Sequence, residues 1–316
     1  MSVNPNPLTI NLSIGSNFFK NYPVESSKLL EIIPENTFSF LLIENNDIFQ
    51  QLNPENHLKV IPIYSILRGN PISPEHPDLV QIDSSGSAIP TYICPNNPKL
   101  EHLAKRVFET LNKSSQIAGI QLNGLEMPPL SHYLSCFCSY CTSLADTNGI
   151  DLNEISSKLK ERAKKGLNEH WIYKKFPKWI KFRTESIYNL AGKLMILIRK
   201  INPDLLIGLN VNFSENAKTI EQNYFFLALF LDMLNFVVNV PSNKVGKKLL
   251  RQIRSVTKKF LGNIQLFIQL NVPNEFNLNQ IKTNIVNVEK YSFNGLIFHI
   301  SALNELEKIY KIRFTG

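Results

Sequence analysis

Apolar, β-branched runs alternate along this chain with segments in which apolar residues recur at helical spacing. Strands repeat every two residues and helices about every 3.6, so the two kinds of segment can be told apart. The predicted strands are Leu8 to Ile14, Thr37 to Ile43, Leu58 to Ile66, Ile117 to Leu122, Leu205 to Val211, Met233 to Val240, Asn263 to Leu270 and Gly295 to His299. Helices are predicted over Ser27 to Ile33, Pro98 to Asn112, most of Asp151 to Ile201 with a break near Pro177, Lys218 to Leu229, Lys244 to Phe260, Asn277 to Glu289 and Ala302 to Ile312. The Pro- and Gly-dense stretch Arg68 to Pro98 predicts a long loop, and Asn123 to Asn148 a second irregular segment.

Strands that alternate with helices predict an α/β fold with a parallel sheet. Eight such units, over a chain of 316 residues, predict a single (β/α)8 TIM-barrel domain spanning 1–316, with long loops after strands three and four. An open doubly wound sheet shares the alternation but usually carries a glycine-rich phosphate loop. No Gly-x-Gly-x-x-Gly or Walker-type run is present, and the chain holds only 13 glycines, so the closed form is preferred.

Composition adds a basic bias. The net charge of +8 comes from 34 basic and 26 acidic residues. Much of the excess lies in Lys158 to Arg183 and in Lys244 to Lys259. Such runs track phosphates in nucleic-acid binders, but on helices they are more often solvated faces. Barrel helices also lie outside, away from the mouth, so nucleic acid is not the expected partner. Met1 to Pro7 lacks the pattern of a signal peptide. No uninterrupted apolar run approaches the ~18 residues that span a bilayer. The nearest, Tyr224 to Val240, is broken by Asp232, Asn235 and Asn239. The expectation is a cytoplasmic protein with no membrane association, whose thiols stay reduced.

There are four cysteines. Cys136, Cys138 and Cys141 form Cys-Phe-Cys-Ser-Tyr-Cys, and Cys94 stands well upstream in Ile-Cys-Pro. A Cys-x-Cys-x-x-Cys turn can aim three thiolates at one point, and structural zinc takes four tetrahedral ligands, often all thiolate. A structural Zn2+ is therefore the expected cofactor, held by Cys94, Cys136, Cys138 and Cys141. The competing reading is a set of buried, inert thiols.

Reactive groups in such barrels project from the C-terminal ends of the strands. Those positions hold Glu44, Tyr64, Arg68, Asn123, Glu126, Asn210, Asn212, Asn239, Gln269, Asn271, Glu275 and His299. The set is rich in amides, which suit a carbohydrate or another small polar ligand. It is poor in carboxylates, of which glycoside hydrolysis needs two. Glu126 is the candidate general acid and Glu275 the candidate nucleophile or base; the other ten are candidate ligand contacts. Seven of them have a plainer alternative: Glu126 a loop charge, Glu275 a helix-start carboxylate, Glu44 a residue near a helix start, Tyr64 and His299 core side chains, Asn210 and Asn212 partners of loop backbone.

Several segments, in order, resemble bacterial and archaeal glycoside-hydrolase-like barrel proteins: Asp83-Ser-Ser-Gly86, Tyr92-Ile-Cys-Pro-Asn-Asn-Pro98, Gly119-Ile-Gln-Leu122, Cys136 to Cys141, Asn148-Gly-Ile-Asp151, Trp179-Ile-Lys-Phe-Arg-Thr-Glu-Ser186 and Gln222-Asn-Tyr224. The cysteine pattern is similar to that of family 42 β-galactosidases. That resemblance implies the same four thiolates around zinc, pinning the loop after strand three to the loop after strand four. It also implies an acid/base glutamate after strand four and a nucleophile at the end of strand seven. This chain reads Leu122-Asn-Gly124 and Gln269-Leu-Asn271 at those places, with Glu126 and Glu275 displaced by a few residues. A catalytically inactive relative, serving as a carbohydrate-binding or protein-interaction module, is the alternative expectation.

Overall fold

Strand pairing defines the molecule. The computed structural model describes residues 9–14, 41–43, 60–68, 76–113, 117–130, 134–166, 168–212, 227–238, 247–257, 264–271, 278–291 and 293–300. Its strands in chain order are β1 (Thr9–Ile14), β2 (Leu41–Ile43), β3 (Val60–Ser65), β4 (Val80–Ile82), β5 (Ala88–Ile93), β6 (Gly119–Asn123), β7 (Leu206–Asn212), β8 (Met233–Val238), β9 (Gln265–Asn271) and β10 (Gly295–Ile300). All but β4 and β5 pair in parallel, in the order β1-β10-β9-β8-β7-β6-β3-β2, and β1 closes against β2.

Alternation along these strands separates an inner from an outer face. Leu42, Ile61, Ile63, Met233, Phe267 and Ile297 meet inside as one apolar cluster. The helices are α1 (Lys99–Leu111), α2 (Ser139–Thr147), α3 (Leu152–Ala163), α4 (Glu169–Lys175), α5 (Pro177–Ile201), α6 (Lys247–Thr257) and α7 (Leu278–Lys290); α1 packs on α5, α2 on α3, and α7 on β10. Helix α1 buries Leu100, Ala104, Phe108 and Leu111, one stripe at helical spacing. Helix α5 opens with Pro177 at its first turn, where a missing N–H costs nothing, and buries Trp179, Phe182, Ile187, Leu190, Leu194 and Ile198. Asp151 caps α3 by accepting from the Glu154 N–H.

Two expectations need correction. Arg68 to Pro98 is not wholly loop: β4 and β5 pair antiparallel across the turn 83–87. The register jumps between Val80 and Gln81, so Pro90 falls at an irregularity, where a strand tolerates a residue without an N–H. Proline density concealed the strand. Helix α2 likewise lies inside the stretch expected to be irregular; it begins directly after Cys138. The basic stretch Lys158 to Arg183 is mostly solvated, with Lys158, Lys165 and Lys181 each beside a glutamate one turn away. Arg183 is the exception, at 0% exposure. The helices expected at Ser27 to Ile33 and Ala302 to Ile312, and most of that at Lys218 to Leu229, lie outside the described residues. Among the described residues no helix is long and apolar enough to cross a membrane.

Candidate functional site

The four cysteines converge. Cys94 follows β5, Cys136 and Cys138 lead into α2, and Cys141 sits in its first turn. All four are buried, and their sulfurs lie within 4.8 Å of one another. Cys94 Sγ is 3.5 Å from Cys141 Sγ and 3.3 Å from Cys138 Sγ. Zinc–thiolate bonds of about 2.3 Å arranged tetrahedrally put sulfurs about 3.8 Å apart, so the donor set and its spacing fit a metal ion. Hydrogen bonds from Cys136, and then from Cys141 and Cys94, hold the Cys138 thiol far below its usual pKa. Hydrogen bonding within the cluster, led by Cys136, together with burial pushes Cys94 and Cys141 well up.

The surroundings hold these sulfurs in place. The segment at Leu134 to Phe137 lies along β4: the Ser84 N–H donates to the Leu134 carbonyl at 2.8 Å, and the Phe137 N–H to the Ile82 carbonyl at 2.8 Å. Ser135 Oγ donates to Gln81 Oε1 at 2.6 Å, and Gln81 Nε2 reaches the Ile93 carbonyl at 2.9 Å. From α5, Arg183 donates to the Ser135 and Pro128 carbonyls, and its guanidinium stacks 5.3 Å from the Trp179 ring centre. Asn96 Nδ2 donates to Cys141 Sγ at 3.2 Å and to Ser186 Oγ at 2.9 Å. The hairpin, the segment before α2, and α5 are thus joined around the cysteines.

A second polar group occupies the barrel interior. Gln121 of β6 donates to Asn210 Oδ1 of β7 at 2.8 Å; Asn235 of β8 donates to the same oxygen at 2.7 Å and to Gln269 Oε1 of β9 at 2.6 Å. Asn235 is 1% exposed, and its own Oδ1 has no hydrogen-bond partner among the described residues. Gly208 makes room for this row: a Cβ there would lie 1.9 Å from Gln121 Oε1. Nearby, Ser13 Oγ lies 3.0 Å from His299 Nδ1, and Asn123 Nδ2 lies 3.3 Å from Ser65 Oγ.

Glu126 follows β6 and is buried; its Oε1 accepts from Arg68 Nη1 at 2.8 Å. Burial works against the Arg68 cation, but the hydrogen bond and charge of Glu126 outweigh it and raise its pKa. Tyr64 lies elsewhere. It meets Phe108 of α1 edge-on at 5.5 Å, on the helix-facing side of β3, and burial pushes its hydroxyl pKa up. Asn212 and Asn271 end β7 and β9, with side chains outside the described residues, as are Glu44, Asn239 and Glu275 altogether. Sequence reasoning passed over Gln121, Asn235, Ser13, Asn96 and Arg183. Gln121 did leave a signal, alternating with Asn123 in an otherwise apolar strand, whereas Asn235 is the one polar residue of β8.

The fold is that of the glycoside-hydrolase-like barrels, in a divergent form. The chain is similar to the PgaB (BpsB) glycoside hydrolase domain of Bordetella bronchiseptica, with a TM-score of 0.71 and 11% identity over 97% of this chain and 98% of that one. It is also similar to the β-galactosidase of Bacillus circulans sp. alkalophilus (TM-score 0.59, 14% identity, 94% of this chain) and to that of Halorubrum lacusprofundi (TM-score 0.59, 12% identity, 92% of this chain). It spans about half of each of those enzymes, 51% and 52%. No protein-family model matches the sequence, and no curated protein does.

Proposed function

We propose that the chain is a single cytoplasmic (β/α)8 domain over 1–316, with long loops after its third and fourth barrel strands, that binds carbohydrate at the C-terminal mouth and carries one structural zinc ion. The observation that carries the ligand class is the row of amides from Gln121 to Gln269, flanked by Asn123 and by the Ser13–His299 pair. Amides offer both donors and acceptors without charge, which matches a polyhydroxylated ligand. Asn210, Gln269, Asn123 and His299 are the first contacts to test, with Asn212, Asn239, Asn271, Glu44 and Arg68 completing the rim. The neighbours named for glycoside hydrolase and β-galactosidase activity support the same class of ligand. Zinc on the four thiolates would serve to hold the β4–β5 hairpin against the segment before α2.

Hydrolysis is the second reading. It is favoured by Glu126, a carboxyl on the segment that leaves β6, with Glu275 as its partner. Calorimetric titration with galactosides, glucosides and N-acetylglucosaminides tests binding, and a panel of nitrophenyl glycosides tests turnover. Binding weakened at least tenfold in Asn210→Ala and Gln269→Ala is the expected result. Absence of heat with every sugar would overturn the carbohydrate reading. Turnover abolished by Glu126→Gln supports hydrolysis, and turnover unchanged in that variant removes Glu126 from it.

A further inference from the structure

The direction of one hydrogen bond near the cysteines can be settled by counting protons. Asn96 lies in the turn that follows Cys94, where the Asn97 N–H donates to the Cys94 carbonyl at 3.3 Å. One side-chain atom of Asn96 touches two acceptors, Cys141 Sγ at 3.2 Å and Ser186 Oγ at 2.9 Å. Ser186 Oγ already gives its only proton to the Phe182 carbonyl, 2.9 Å away. The Asn96 atom facing Ser186 must therefore be a donor, and an amide nitrogen has two N–H groups to give. The alternative amide rotamer would set the Asn96 carbonyl oxygen against the Ser186 oxygen, with no proton between them. One N–H of Asn96 is thus directed at the sulfur of Cys141 and held there by α5.

Asn96 is half-buried and lines a groove of about 820 Å³ beside Tyr140, Tyr188 and Leu144. It stands between that groove and a sulfur that is itself 1% exposed. We infer that Asn96, oriented by Ser186, is a positioning residue of the metal centre, which donates to the Cys141 thiolate and slows loss of the ion toward the groove. The inference rests on the metal reading proposed above. Partners of metal ligands commonly change metal affinity about 10- to 100-fold when removed.

The test follows zinc transfer from the intact zinc-loaded protein to an excess of a chromogenic chelator, and the thiolate-to-metal charge-transfer band of the cobalt-substituted protein. Asn96→Leu keeps the side chain's bulk and removes the donor; it should release zinc about tenfold faster or more and shift the cobalt band. Ser186→Ala should move both readouts in the same direction by a smaller factor, because the amide remains but loses its anchor. A purely structural role would lower the melting temperature and leave the release rate and the band unchanged. Wild-type rates and bands in both variants, each carrying a full complement of zinc, would overturn the inference. Should Asn96→Leu not fold, an unchanged rate in Ser186→Ala overturns it alone. Failure of wild type to take up zinc or cobalt removes the metal reading itself, and this inference with it.

Discussion

Arg68 Nη1 lies 2.8 Å from Glu126 Oε1, joining the segment that leaves β3 to the segment that leaves β6. The carboxyl is 2% exposed and the guanidinium 54%. Solvent screens the outer partner, so the pair falls between the surface and the buried limits. We expect a double-mutant cycle of Arg68→Met and Glu126→Gln, read by urea unfolding, to give a coupling energy of about 1–2 kcal/mol. Strict additivity of the two changes would show that the contact does not hold the mouth together.

The same corner depends on a glycine. Gly124 has φ +62°, and a Cβ on it would lie 3.0 Å from the Arg68 carbonyl oxygen. Left-handed backbone costs an L-residue about 1–2 kcal/mol before any clash is counted. Gly124→Ala should therefore destabilise by more than Gly86→Ala, where φ is +94° but nothing lies within 4 Å of the added carbon. Equal shifts in urea midpoint would contradict the crowding argument.

The β4–β5 turn predicts a pH effect. Asp83 Oδ1 accepts from the Ser85 N–H at 2.7 Å, the Ser87 N–H at 2.9 Å and Ser85 Oγ at 2.6 Å. Partial burial opposes the charged carboxyl, but these bonds outweigh it, and its pKa is lowered. A depressed carboxyl stabilises above its unfolded pKa of about 3.9, and that contribution is lost as pH falls through the folded value. Asp83→Asn should cost about 0.5–1 kcal/mol at pH 6, a modest figure because the turn is exposed, and should match wild type in strong acid. A pH-independent difference in melting temperature would show that the charge is not what the turn uses.

Metal removal should be felt locally. Elemental analysis of protein purified without chelator should give about one zinc per chain. An ion at a thousandfold excess over its Kd adds about 4 kcal/mol, so chelation should lower the melting temperature by several degrees. Hydrogen exchange should then rise at 80–93 and 139–147 before it rises in the barrel strands. Cys138→Ser should reproduce the effect without chelator. A zinc content near zero in reduced wild-type protein would remove the metal.

The sequence carried the barrel strands well because their β-branched runs are bounded by polar turns. Each of the eight parallel strands lies within or against a predicted one, and the cysteine spacing was enough to expect the cluster. The hairpin was lost to Pro90, whose place at a register irregularity cannot be inferred from propensity. Arg183 was lost to its neighbours: in a run of lysines a basic residue reads as solvated, and only packing reveals its two carbonyl partners. Amide roles were legible in type but not in grouping. Asn210 and Gln269 were expected singly at strand ends, whereas the link between them runs through Asn235, a residue that had served only to interrupt an apolar run.

Carboxamides neither gain nor lose protons across the range in which proteins survive. The hydrogen-bonded row of Gln121, Asn210, Asn235 and Gln269 therefore presents one unchanging pattern of donors and acceptors in acid and in alkali. Recognition of a neutral ligand through that row would be indifferent to acidity.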